Sequence, residues 1–172
     1  LWLYSRGALP CQITKVVSNH ADLQDSVERF GIEFVHVPVD KNDKESAYDK
    51  INELLAENDL LVLARYMQIL SPKFVANWEN KIINIHHSFL PAFVGANPYK
   101  QAFDKGVKLI GATAHYVTSE LDEGPIIEQS VERVSHRFDV DELRELGRKI
   151  EREVLARAVK WHLEDQIGRA HV

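Results

Sequence analysis

The sequence predicts a single α/β domain: an open, mostly parallel twisted sheet with helices on both faces. Three observations lead there. Short β-branched runs alternate with segments of helical periodicity along most of the chain. One run, Leu60-Leu61-Val62-Leu63-Ala64, is apolar without interruption, the pattern of a strand buried on both faces. The length, 172 residues, suits one domain with a full core of its own.

Each element has a local reason. Ile13-Thr14-Lys15-Val16-Val17 is short, β-branched and apolar, and reads as a strand. Ser18-Asn19-His20 turns the chain. Leu23, Val27 and Phe30 make a helical stripe that Gly31 ends. Ile32-Glu33-Phe34-Val35-His36-Val37 is a second strand, halted by Pro38. Ala47, Ile51, Leu54 and Leu55 share one helical face within residues 43–58. After the apolar run at 60–64, residues 72–78 form a short helix that Ser71 can cap and Pro72 can begin. Lys81-Ile82-Ile83-Asn84-Ile85 is a further strand. Residues 86–98, with Pro91, Gly95 and Pro98, form a long loop, and loops of about a dozen residues in compact domains are usually functional. Phe89, Leu90 and Phe93 make it too apolar for disorder. A short helix over 99–104 precedes two strands, 109–118 and 126–134. The last helix, 139–164, carries the stripe Leu143, Leu146, Ile150, Val154, Ala158, Trp161, and Asp139 with Glu142 makes a capping box at its start.

Composition excludes several classes of function. Hydrophobic residues are 45% and charged residues 27%, an ordinary globular balance. The net charge of -5 and the lack of any basic run argue against gripping a phosphate backbone, so no nucleic-acid partner is expected. No apolar run approaches the ~18–20 residues of a membrane span, so no membrane partner is expected either. Cys11 is the only cysteine, which fits a reducing, cytoplasmic setting.

In an open α/β sheet, ligands bind at the carboxyl ends of the strands. That rim collects residues 64–70, 84–88 and 118–124. Asn84 and His86 are two apart on an extended segment and project to one face. An amide beside an imidazole can stabilise an oxyanion forming on a carbonyl carbon. The plainer reading is a strand end satisfying loop backbone. Asp122 lies in the Gly- and Pro-punctuated loop Leu121-Asp122-Glu123-Gly124-Pro125. Near His86 it could accept a proton or orient water; the plainer reading is a solvated turn carboxylate. Arg65-Tyr66-Met67-Gln68-Ile69-Leu70-Ser71-Pro72 is a strand-to-helix turn. Its backbone could hydrogen-bond a flat heterocycle, with Met67, Ile69 and Leu70 as pocket walls, or it could be ordinary helix–sheet packing. His87 points opposite to His86 if the strand continues, and His115, on a buried strand, reads as a satisfied core histidine. Paired-cysteine and H-E-x-x-H spacings, Gly-rich phosphate loops and G-x-S-x-G are all missing from the sequence, so no metal site is expected.

Taken together, these segments resemble the folate-dependent formyltransferase family. Asn84-Ile85-His86, Ser88, Leu90-Pro91 and Leu121-Asp122-x-Gly124-Pro125 match its signature in order and spacing. Joint agreement of distant segments is far more specific than any one of them. The stretches Asn84–Phe93, Gly95-Ala96-x-Pro98-Tyr99 and Gly106–Val117 resemble the family's hydrolytic branch in particular, and the resemblance runs to about Glu164. It implies a Rossmann-like three-layer fold whose first strand this chain lacks, with residues 1–166 an amino-terminally truncated catalytic domain. An amino-terminal regulatory domain of the ACT type, usual in that branch, has no counterpart here. Residues 167–172, Ile-Gly-Arg-Ala-His-Val, coincide with one reading frame of a common sequencing adapter and are expected to be a non-native tail.

The resemblance also implies an activity: hydrolysis of 10-formyltetrahydrofolate to formate and tetrahydrofolate. Asp122 would activate the water while His86 and Asn84 face the oxyanion. The pterin would lie against Met67, Gln68, Ile69, Leu70 and Val117. Neither metal nor cofactor is expected, since the leaving group is a weakly basic aryl amine and the folate is the substrate. His87, Phe89 and Phe93 would fill the space where a transferase holds its amine acceptor. The full-length protein would be a homo-oligomer. The competing expectations are formyl transfer to glycinamide ribonucleotide and a catalytically silent folate-binding module.

Overall fold

Parallel pairing joins β1 (Lys15–Ser18) to β2 (Glu33–His36), and β3 (Leu61–Leu63) to β4 (Ile82–His86). β5 (Leu109–Tyr116) and β6 (Ile126–Arg133) continue the second group antiparallel, giving a two-stranded sheet and a four-stranded sheet of order β3-β4-β5-β6. The helices are α1 (Trp2–Ser5), α2 (Gln24–Glu28), α3 (Lys44–Leu55), α4 (Pro72–Ala76), α5 (Pro98–Asp104) and α6 (Val140–Leu163). The computed structural model describes residues 1–40, 42–90 and 98–167. Phe93 and the Gly95-Ala96 pair of the predicted loop lie outside these, as does the tail beyond Ile167. The α/β class is as the sequence predicts, and the pairing within it is mixed.

The caps form where the sequence places them. The Asp43 carboxylate accepts from the Ser46 amide, and the Ser71 hydroxyl accepts from the Phe74 amide with Pro72 in the first turn. Asp139 and Glu142 complete a reciprocal capping box on α6. Each such cap contributes about 1 kcal/mol.

Strand alternation divides the core in two and thereby places the functional face. Ile83 and Ile85 of β4 pack with Ile110, Ala112 and Ala114 of β5 against Leu143, Ile150, Val154 and Ala158 of α6. Ile82 faces the other way, onto Tyr48, Ile51, Phe74 and Trp78. Burying a side chain of this size stabilises by about 1.5–3 kcal/mol, so these two clusters hold β4 rigidly from both sides. Asn84 and His86 share the face of Ile82, away from α6.

One expectation about the strands is corrected. β3 is not buried on both faces: Val62 is 37% exposed and its neighbours are half-buried. β3 is the edge of its four-stranded sheet, so its uninterrupted apolar run does not signify a central strand.

Candidate active site

The antiparallel register of β4 and β5 sets Asn84 opposite His115 and His86 opposite Thr113. Directly opposed residues on one sheet face have their Cβ atoms about 5 Å apart, so two polar pairs meet at the end of β4. The loop after β5 brings in Asp122 as the third component. Two features fold that loop back. The Tyr116 amide donates to the Pro125 carbonyl at 2.9 Å, and Gly124 lies so close to the Tyr116 carbonyl that a Cβ there would overlap it. Asp122 itself takes φ 57°, the left-handed region that Asp tolerates better than most residues.

Asp122 lies beside both histidines of the cluster and within hydrogen-bond distance of one, His86. Its Oδ2 lies 3.2 Å from His86 Nδ1, and its Oδ1 lies 3.6 Å from His115 Nε2. His115 Nε2 is also 3.3 Å from Asn84 Nδ2, and its Nδ1 is 2.9 Å from the Tyr116 carbonyl oxygen. The His86 and His115 side chains are 8% and 2% exposed, while Asp122 keeps 19% and is the member that solvent reaches. Burial pushes the His86 pKa below its ordinary 6.5; Asp122 opposes the shift, and His87 and His115 reinforce it. His86 is therefore neutral near pH 7. A neutral imidazole facing a carboxylate through Nδ1 donates there, which leaves the lone pair on Nε2. That atom is buried and has no hydrogen-bond partner among the described residues.

The structure brings together Asn84, His86 and Asp122, as the sequence predicts, and adds His115. His115 is the satisfied core histidine that the sequence predicts, 2% exposed with a partner on each ring nitrogen, and the β4–β5 register sets it opposite Asn84. His87 is also corrected. It does not point opposite to His86; the two rings stack at 5.1 Å and 10°. The strand ends at His86, so alternation no longer governs the next residue. Behind His87, at 6.4 Å, stands Tyr99, whose hydroxyl donates to Glu151. Burial, followed by Glu151, holds the Tyr99 pKa well above its ordinary 10. Tyr99 fits against α6 only because residue 147 is glycine; a Cβ there would overlap its ring.

Thr113, fully buried, fixes the chain beyond the histidines. Its hydroxyl donates to the Ser88 carbonyl at 2.9 Å and accepts from the Leu90 amide at 3.1 Å and Gln129 Nε2 at 2.9 Å. The residues expected to hold the heterocycle fall in two groups. Met67 and Ile69 expose 75% and 65% of their surface, unusual for large apolar side chains. Leu70 and Val117 lean on the core between β4 and α3, and Gln68 is half-buried. The Tyr48 hydroxyl donates to the Ile69 carbonyl at 2.8 Å and fixes this segment. Among the described residues no cluster of three or more His, Cys, Asp or Glu side chains could hold a metal ion, and no helix is long and apolar enough to cross a membrane.

Comparison with known proteins bears on this geometry. Residues 4–159 match a family model described as formyl transferase. The chain is 56% identical, over 169 residues, to the formyltetrahydrofolate deformylase of Bacillus subtilis (strain 168); the match covers 97% of this chain and 56% of that one. A crystal structure of a formyltetrahydrofolate deformylase from Pseudomonas syringae pv. tomato superposes with a TM-score of 0.94 at 51% identity, covering 99% of this chain and 58% of that one. A crystal structure of phosphoribosylglycinamide formyltransferase from Anaplasma phagocytophilum superposes with a TM-score of 0.84 at 36% identity, covering 93% and 77%. The chain thus spans about half the length of the curated relatives it matches.

Proposed function

The chain belongs to the formyl transferase family, and on that premise we propose that it hydrolyses 10-formyltetrahydrofolate to formate and tetrahydrofolate. The observation that carries the reading is the Asp122–His86 pair, its histidine buried and its carboxylate half-buried, with the Asn84 amide on the same face, two residues from His86. Its likeness to deformylases, at 56% and 51% identity, supports water rather than an amine as the nucleophile.

The formyl carbon is an amide carbonyl on N10. The pterin lies along residues 67–70 and Val117, with Met67 and Ile69 as the open wall. Water attacks the formyl carbon and its proton passes to the Asp122–His86 pair, which titrates as a unit. The family resemblance implies that Asp122 takes this proton. The geometry favours His86 Nε2, which holds the lone pair, with Asp122 orienting the water and balancing the imidazolium. The carbonyl oxygen becomes an oxyanion facing the Asn84 amide and, once His86 is protonated, its Nε2–H. One such donor is worth about 3–4 kcal/mol in the transition state. The imidazolium then protonates N10, the carbon–nitrogen bond breaks, and formic acid leaves and ionises. Each step uses only water and these side chains, so neither metal nor cofactor enters. His87 and Phe89 crowd the side from which an amine acceptor would approach.

Binding and turnover separate this reading from a silent binding module. In the protein carrying this chain, Asp122→Asn should bind tetrahydrofolate within about threefold of the unsubstituted protein and release formate about 10²–10⁴-fold more slowly. Folate binding by both with formate release by neither would mean a binding module.

A further inference from the structure

His115 has no part in the reaction as written, yet it is 2% exposed and both its ring nitrogens are engaged within the site. We infer that His115 is a positioning residue that sets which way round the Asn84 amide stands, taking one amide hydrogen on Nε2 and leaving the other for the substrate's carbonyl oxygen.

A chain of hydrogen bonds links Tyr116, His115 and Asn84, and each partner dictates the next. The Tyr116 carbonyl can only accept, so His115 Nδ1, 2.9 Å away, carries the hydrogen. Whenever the ring is neutral, Nε2 is then a lone pair. An Asn side chain facing a lone pair must present its amino group, and Asn84 Nδ2 is 3.3 Å from it. The opposite orientation would set the amide oxygen against that lone pair and turn an acceptor where the oxyanion forms. Asp122 Oδ1, at 3.6 Å from Nε2, is beyond hydrogen-bond distance. His115 therefore does not compete with His86 for the carboxylate.

Two features of the backbone build this arrangement. The β5–β6 register is irregular between Ala114 and His115, and such irregularities re-aim side chains next to functional sites. The carbonyl read by His115 Nδ1 is also the one against which Gly124 packs, two residues beyond Asp122. One peptide group thus fixes the tautomer of His115 and the seat of the Asp122 loop.

The inference rests on the hydrolytic reading only for what Asn84 faces, so its test has one arm that needs no turnover. Nitrogen-15 NMR of the imidazoles at about pH 8, where an ordinary histidine is neutral, reports the tautomer of His115 in the unsubstituted protein. The Nδ1-protonated tautomer is expected; the Nε2-protonated tautomer would overturn the inference. In the kinetic arm, His115→Phe should lower kcat for formate release about 10–100-fold with KM within about threefold, since misplacing a reacting group by about 1 Å costs about 10²-fold. His115→Gln, whose side-chain carbonyl can accept from Asn84, should restore most of the loss. In an Asn84→Ala background His115→Phe should cost less than about threefold more, because the two substitutions break one interaction. Equal losses with and without Asn84 would show that His115 acts otherwise. Should the unsubstituted protein release no formate, the hydrolytic reading falls and the NMR tautomer alone decides for or against His115.

Discussion

Replacing Thr113 by Val keeps the shape of the side chain and removes one buried oxygen. That oxygen makes three hydrogen bonds, to the Ser88 carbonyl, the Leu90 amide and Gln129 Nε2, all between 2.9 and 3.1 Å. Each bond contributes about 1 kcal/mol net, and an amide left buried without a partner costs about 1–3 kcal/mol. Gln129 retains a second bond, to the Leu90 carbonyl at 3.3 Å, which softens the loss on its side. The expected destabilisation is about 3 kcal/mol. For a domain of this size that lowers Tm by about 6–12 °C. Because Ser88 and Leu90 lie two and four residues beyond His86, kcat should also fall about tenfold or more. Denaturant unfolding of the unsubstituted protein, Thr113→Val and Thr113→Ser measures it. The serine variant keeps the oxygen and should lose no more than about 1 kcal/mol, the worth of a buried methyl group. A loss below about 1 kcal/mol for the valine variant would show that the hydroxyl does not hold this loop.

Other consequences follow from the same geometry. Gly124→Ala places a Cβ against the Tyr116 carbonyl, so the Asp122 loop must shift, and kcat should drop about 10²-fold in steady-state assays. Gly147→Ala drives a Cβ into the Tyr99 ring and should cost about 1–3 kcal/mol in chemical denaturation, despite alanine's better helix propensity. The rate should rise with pH along a limb whose midpoint lies below 6.5, since His86 must be neutral to take the proton and burial lowers its pKa. Asp122→Asn should move that limb lower still in whatever activity remains, because the carboxylate raises the His86 pKa. Stability carries the same sign: the unfolded chain binds the His86 proton first, so the group's contribution is full above about pH 6.5 and declines as the pH falls towards the lower folded-state value.

Elements governed by local chemistry were legible in the sequence. The caps at Asp43, Ser71 and Asp139 and the stripe of α6 depend on neighbours three and four residues away, which periodicity shows directly. Asn84 and His86 were legible as a pair for the same reason, being two residues apart on a strand. Asp122, 36 residues beyond His86, was placed by the family resemblance rather than by any local pattern. What stayed hidden depends on partners distant in the chain. The exposure of Val62 follows from the edge position of β3, and the contact of His115 with Asn84 from the β4–β5 register. The stacking of His87 on His86 follows from where the strand stops, which no residue type announces.

The proposed reaction has water, not an amine, take the formyl group at the Asp122–His86–Asn84 cluster. Formate release from 10-formyltetrahydrofolate, followed with and without glycinamide ribonucleotide and beside Asp122→Asn, tests it most directly. Formate should appear at a rate indifferent to the ribonucleotide and about 10²–10⁴-fold lower in the variant. Formyl transfer appearing only when the ribonucleotide is present, with little free formate, would contradict it.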